Sequence, residues 1–204
     1  MITIVDYGLG NLGSIHNMFR RIGADCVVTA DGDAIRQATK LVLPGVGAFD
    51  NGMNNLSRRG LVGLLSQKVL IEGCPIMGIC LGAQLMTRSS EEGAIPGLGW
   101  VPISTVRFPS RIGDRSLKIP HMGWNEALPV KTDVLFEGFV TTPRFYFVHG
   151  YHFVCEAPEA ALTVTEYGMR FVSAFSCGNI YGVQFHPEKS HKFGMKLFEN
   201  FARL

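Results

Sequence analysis

Pro75-Ile-Met-Gly-Ile-Cys-Leu-Gly-Ala-Gln84 joins a short apolar run to a cysteine set between two glycines, and the segment Ala83 to Glu92 that follows carries a helical pattern. Strand, tight turn, helix is the order these residues predict. Gly78-x-Cys80-x-Gly82 has the spacing of a nucleophile elbow, in which small neighbours let the chain reverse sharply and push the central side chain into a cleft. A cysteine at the first turn of a helix feels the positive end of the peptide dipoles, which favours the thiolate. The N–H of Leu81 would then point toward a developing oxyanion. Free cysteines are also commonly buried as small apolar side chains, so Cys80 has a second, bland reading, and the rest of the chain has to supply a base and an acid.

Working outward toward the N-terminus, Ile2 to Asp6, Asp25 to Thr29 and Lys40 to Leu43 are further short apolar runs. Asn11 to Ile22, Ala34 to Thr39 and Asn51 to Glu72 between them have helical spacing, the last broken near Gly60. Strands alternating with helices imply a parallel sheet covered on both faces, with ligands beyond the carboxyl ends of its strands. Pro44-Gly-Val-Gly-Ala48 lies at such an end, as does Cys80. Two glycines around Val46 allow backbone N–H groups to converge on one point; an ordinary turn is the competing reading, and the Lys-Ser/Thr of a phosphate loop is missing. Gly8-Leu-Gly10-Asn-Leu-Gly13, with Asp31 downstream, also matches a dinucleotide fingerprint. Asp6-Tyr7 sets a charge and a bulky ring just before its first glycine.

From Gly93 the pattern changes to short segments broken by Gly and Pro: Gly99 to Phe108, Ser116 to Ile119, Val134 to Phe136, Arg144 to Val148, His152 to Glu156, Ala161 to Glu166, Val172 to Ser176 and Ile180 to Phe185. These predict a mixed or antiparallel β half folded onto the first half. Ser190 to Arg203 closes the chain as an amphipathic helix with Phe193, Leu197, Phe198 and Phe201 inward. The expected architecture is α/β, one domain over residues 1–204, with a mostly parallel central sheet, helices on both faces and added antiparallel strands in the C-terminal half.

The base and its orienter sit at the end of the last apolar run, at His186-Pro187-Glu188. Proline biases the residue before it to an extended conformation, which holds the ring of His186 at the strand end. Glu188 can return to accept a hydrogen bond from one ring nitrogen, leaving the other for the thiol proton. Without Cys80, a surface His-Pro-Glu turn would be the plainer reading. His121 and His149 follow apolar or proline-bounded runs and read either as pocket-lining or as hydrogen-bonded structural histidines; His16, His152 and His191 give no signal.

Composition limits the alternatives. The chain of 204 residues is 47% hydrophobic and 18% charged, as a folded globular chain is. A net charge of +2 with no basic run gives no case for nucleic acid. The cysteines, at 26, 74, 80, 155 and 177, form no C-x-x-C pair and are odd in number, against a disulfide framework or a zinc site. No metal, no cofactor and no membrane span are expected, and reduced thiols without a signal peptide point to the cytoplasm.

Pro44-Gly-Val-Gly47, Gly78-Ile-Cys-Leu-Gly-Ala-Gln84 and Gln184-Phe-His-Pro-Glu-Lys-Ser190 taken together resemble the class I (triad) glutamine amidotransferases, a flavodoxin-like α/β family. Pro120-His-Met-Gly-Trp-Asn125 and Phe147-Val-His149 narrow the resemblance to the branch whose glutaminase subunit serves a barrel cyclase of histidine biosynthesis, over the whole chain. The resemblance implies that Cys80 attacks the side-chain amide of L-glutamine, His186 shuttles protons and Glu188 orients His186. It places the oxyanion site at Gly45, Val46, Gly47 and Leu81, and the holders of glutamine at Gly82, Gln84, Glu92, Gly150 and Tyr151. It also implies a heterodimer with a (β/α)8-barrel cyclase, docked through Leu9, Asn11, Trp124, Tyr146 and Lys189, to which ammonia passes internally. That docking role reinterprets the Gly8 to Gly13 turn as interface. Gly13, where relatives often carry a longer side chain, and Gly150, where they carry Ser or Thr, depart from the pattern and leave room for a paralogue that aminates a surface-sugar precursor.

Overall fold

A computed structural model describes residues 1–204. The first half alternates strands and helices: β1 (Ile2–Val5), α1 (Leu12–Arg21), β2 (Cys26–Thr29), α2 (Gly32–Arg36), β3 (Lys40–Leu43), α3 (Phe49–Arg58), α4 (Leu61–Ser66), β4 (Ile76–Ile79) and α5 (Leu81–Leu85). The second half holds β5 (Ile103–Arg107), β6 (Arg111–Ile112), β7 (Arg115–Ser116), β8 (His121–Glu126), β9 (Leu128–Pro129), β10 (Arg144–His149), β11 (Tyr151–Cys155), β12 (Ala161–Tyr167), β13 (Met169–Cys177), β14 (Ile180–Val183) and α6 (His191–Arg203).

The main sheet runs β2-β1-β3-β4-β14-β13-β11-β5, with β12 and β9 attached through β13. Its first five strands are parallel. From β14 onward the neighbours are antiparallel. The last parallel strand therefore comes from the end of the chain and lies directly beside β4. That pairing, Val183 against Ile79, is what brings two motifs a hundred residues apart to one rim.

Side chains alternate across the sheet as a period of two requires. On β3, Leu41 and Leu43 join a core beneath α2 to α5, whereas Val42 joins the core beneath α1 and α6. On β4, Ile76 faces the first core and Met77 and Ile79 the second. Burial on both faces explains why these strands read as continuous apolar runs.

Four segments differ from the sequence expectation, the first being β8, an unexpected strand over His121–Glu126 that pairs with β10 in a two-stranded sheet of its own. The helix expected over Ala83 to Glu92 stops at Leu85, because the hydroxyl of Thr87 donates back to the carbonyl of Gln84 (2.7 Å) and the N–H of Arg88 turns to the carbonyl of Ile103. Val134–Phe136 is a single 3-10 turn in place of a strand: the carboxylate of Asp133 accepts from the N–H of Leu135 (2.9 Å), which nucleates a turn ahead of an apolar trio. Of Ser116 to Ile119 only Ser116 is in a strand, in the two-residue ribbon of β6 and β7. The break near Gly60 is found, with that glycine at φ +66° between α3 and α4. No helix is long and apolar enough to cross a membrane.

Candidate active site

Cys80 ends β4 and caps the start of α5 with φ +52° and ψ −112°, a conformation that L-residues avoid. Its N–H continues the sheet to the carbonyl of Val183 (2.8 Å), and its carbonyl accepts the N–H of Gln84 (3.1 Å), so strand and helix both hold the strained residue in place. The flanking glycines are there for space. A Cβ on Gly78 would lie 2.6 Å from the Cα of Ala83, and one on Gly82 would lie 1.8 Å from the carbonyl oxygen of Leu43.

A cavity of about 320 Å³ opens beside the sulfur, lined by Val46, Gly47, Leu81, Gln84, Glu92, Pro120, Val148, His149, Gly150, Tyr151 and His186 as well as Cys80. Cys80 and His186 thus share one cavity wall across the β4–β14 junction. His186 Nδ1 is 2.8 Å from Glu188 Oε1, and both side chains are 1% exposed. The backbone of His186 is pinned to β10 through its N–H on the carbonyl of Tyr146 (2.9 Å), and its own carbonyl accepts the hydroxyl of Ser190 (2.6 Å).

Burial disfavours a charged imidazole, yet the interactions with Cys80 and Glu188 outweigh it and raise the pKa of His186 to about 10. Nε2 is buried, makes no hydrogen bond of good geometry and belongs to a ring that lines the same cavity as Cys80. A ring so raised is charged at neutral pH and holds a proton to give away beside the sulfur. The other four thiols are pushed up by burial, Cys155 to about 11.

Val46 and Gly47 line the opposite wall, on the loop after β3, with Gly47 at φ +112°. Tyr7 fixes the root of that loop by donating its hydroxyl to the carbonyl of Pro44 (2.6 Å). The N–H groups of Val46 and Gly47 have no protein acceptor. Gly45 and Gly82, expected at the oxyanion and glutamine positions, do not line the cavity. Each is packed too tightly: a Cβ on Gly45 would meet the Tyr7 hydroxyl at 2.6 Å and the Gly82 nitrogen at 2.7 Å. Glu92 reaches the cavity while accepting the N–H of Phe49 at the start of α3 (3.0 Å), and burial raises its pKa despite that bond.

Gln184 carried no role in the sequence reading and turns out to be central. Fully buried, it donates to Cys80 Sγ (3.6 Å) and accepts from the Gln84 amide (3.0 Å), linking the cysteine to a second residue of the cavity wall. The signal was a lone carboxamide inside the otherwise apolar run Ile180 to Phe185.

Among the expected docking residues, Trp124 is exposed and meets Tyr146 edge-on at 6.4 Å, and Lys189 Nζ lies 5.6 Å from the Tyr146 ring. His191, which gave no signal in the sequence, stacks on Trp124 at 5.5 Å. Leu9 and Asn11 precede α1, a helix that packs against the Pro187–Lys189 turn; next to them a Cβ on Gly10 would lie 2.9 Å from the Cβ of Pro44. The dinucleotide fingerprint has other employment too. Asp31 caps α2 by accepting the N–H of Ala34 (2.8 Å), and Asp6 accepts the N–H of Gly8 (2.9 Å). No three His, Cys, Asp or Glu side chains are grouped as metal ligands would be.

The family model for glutamine amidotransferase class-I matches residues 3–204. The imidazole glycerol phosphate synthase subunit HisH 2 of Methanococcus maripaludis is 53% identical over all of this chain and 99% of its own length. The HisH 2 subunit of Pseudomonas aeruginosa is 49% identical over the full length of both. In fold, the chain superposes on a crystal structure of a glutamine amidotransferase with TM-score 0.75 over the whole of both chains at 17% identity. It also superposes on the glutaminase domain of Trypanosoma brucei CTPS with TM-score 0.64 over 99% of this chain and 93% of that one.

Proposed function

The chain belongs to the class-I glutamine amidotransferase family, and from that premise we propose that it is the glutaminase subunit of an imidazole glycerol phosphate synthase in histidine biosynthesis. The observation that carries the reading is the match at about half identity to HisH subunits along the entire chain.

In this reading the thiolate of Cys80 attacks the side-chain amide carbon of L-glutamine. The oxyanion is met by N–H groups from Leu81 and from the Val46–Gly47 loop. His186 gives its proton to the amide nitrogen, ammonia leaves, and a γ-glutamyl thioester remains on sulfur. Water then adds to the thioester carbon with His186 taking its proton, glutamate departs, and the thiolate is restored. Glu188 keeps the ring in register and stabilises its charged form. Gln84, Glu92, Gly150 and Tyr151 hold the amino-acid end of the substrate.

Ammonia set free in water would be protonated, so a partner must receive it. We infer a (β/α)8-barrel cyclase subunit that turns PRFAR and ammonia into imidazole glycerol phosphate and AICAR. The exposed Trp124 beside Tyr146, Lys189 and His191 supports docking on that side of the cavity.

The test is AICAR formation by the chain mixed with a barrel cyclase. Cys80→Ala should abolish synthesis from glutamine and leave synthesis from ammonium salts unchanged; glutamine-dependent turnover in that variant would end the proposal.

A further inference from the structure

Behind the cavity wall formed by Val148, His149, Gly150 and Tyr151 lies a file of side chains that the proposed chemistry does not use. Asn125 Nδ2 is 3.2 Å from His121 Nε2, His121 Nδ1 is 3.0 Å from His149 Nε2, and His149 Nδ1 is 2.6 Å from the carbonyl oxygen of Tyr151. Both histidines are buried, 2% and 5% exposed. His121 is held flat between Phe147 and Tyr167, at ring separations of 4.7 and 4.0 Å.

The direction of the file is fixed independently at both ends. At the first, the N–H of Glu126 donates to Asn125 Oδ1 (2.8 Å), and Asn125 Nδ2 donates to the carbonyl of Glu166 (2.9 Å). The amide therefore turns its second N–H toward His121, whose Nε2 must accept. At the other end the carbonyl of Tyr151 can only accept, so His149 Nδ1 carries a proton. The two requirements agree only if both rings are neutral with hydrogen on Nδ1. A proton placed between His149 Nε2 and His121 Nδ1 from the His149 side would collide with one or the other.

We propose that Asn125, His121 and His149 form a one-way chain of hydrogen bonds that positions the Gly150–Tyr151 backbone against the amino-acid end of glutamine. His121 and His149 are then positioning residues, and the base is the single histidine of this wall that has a carboxylate partner. Burial agrees with this division, since it pushes His149 down to about 3 and His121 down to about 4, leaving both neutral at working pH. The role toward glutamine rests on the glutaminase reading; the chain of bonds does not.

The experiment uses the full chain bound to its barrel partner, with ¹⁵N-labelled histidine observed by NMR at neutral pH. His121 and His149 should both report a neutral ring protonated at Nδ1, and a proton on Nε2 of either would overturn the chain. His149→Leu should raise KM for glutamine about three- to tenfold, the loss of one neutral hydrogen bond, with kcat held within about threefold. His149→Asn, whose amide nitrogen takes the place of Nδ1, should restore KM to within about twofold. A fall in kcat at constant KM, or equal behaviour of the Leu and Asn variants, would overturn the positioning role. If the wild-type complex hydrolyses no glutamine, the functional reading and the role toward glutamine fall together, and the tautomers still decide the chain itself.

Discussion

The carboxamide nitrogen of Gln184 lies 3.6 Å from the sulfur of Cys80, inside hydrogen-bonding reach of sulfur, one residue past the end of the strand beside the one that delivers the cysteine. Its oxygen takes the amide N–H of Gln84. Gln184→Leu removes both bonds and leaves the Gln84 amide unpaired in the interior, at a cost of about 1–3 kcal/mol. The expected outcome is a kcat/KM for glutamine roughly ten- to a hundredfold lower, with slower alkylation of Cys80 and an unaltered circular dichroism spectrum. Wild-type kcat/KM in that variant would remove Gln184 from the site.

The pair of His186 and Glu188 makes a second prediction. Glu188→Gln keeps the shape of the side chain and deletes the charge that helps hold the imidazole at about 10. Titrated by NMR, His186 should move down toward its ordinary value near 6.5. Glutamine hydrolysis should fall roughly a hundredfold or more, the usual scale of lost acid–base assistance. An unmoved titration would mean that the carboxylate does not govern the ring.

Buried neutral histidines also set a dependence of stability on acid. An unfolded histidine takes a proton near 6.5, whereas folded His121 and His149 resist until about 4 and about 3. Between those limits the unfolded state binds more protons, so stability falls as pH falls, by up to about 1.4 kcal/mol per pH unit for each ring. His186 runs the other way: its folded pKa is raised, its contribution is complete below 6.5, and it is lost as pH climbs toward 10. From pH 6 to pH 5 the two neutral rings therefore add slope and His186 adds none. Urea midpoints at those two pH values should converge in a variant carrying His121→Gln and His149→Asn; an identical drop in wild type and variant would contradict the argument.

Glycines of the elbow can be told from glycines of convenience. Gly82→Ala would press a methyl group to 1.8 Å from the Leu43 carbonyl and should destabilise by about 3 kcal/mol or more. Gly13→Ala meets nothing within 4 Å and sits inside α1, so it should stabilise by about 0.5–1 kcal/mol. Thermal melts that rank the two variants the other way would show that these close approaches relax freely.

The parallel half was legible because its central strands β1, β3 and β4 are buried on both faces and its turns are marked by glycine. Cys80, His186 and Glu188 were legible because glycine, proline and carboxylate spacing constrain the chain around them. What escaped was of two kinds. Thr87 and Asp133 end or start turns through side-chain bonds to backbone that no hydrophobic period records. Gln184 and His191, and the bond that links His121 to His149, take their places from contacts made across the sequence: Gln84 and Gln184 are separated by 100 positions, and the two linked histidines by 28. One sequence shows that a polar residue sits in an apolar run, and only the register of β14 beside β4 shows which sulfur it meets.

Burial of Cys26, Cys74, Cys155 and Cys177, each with its thiol raised above the ordinary range, has a practical corollary at the bench. A soft electrophile shaped like glutamine, supplied at neutral pH, would meet four thiols that burial keeps protonated and one sulfur, Cys80, that shares an open cavity with His186. Mass spectrometry should then find a single adduct per polypeptide, and its molar yield would count the competent copies in any preparation.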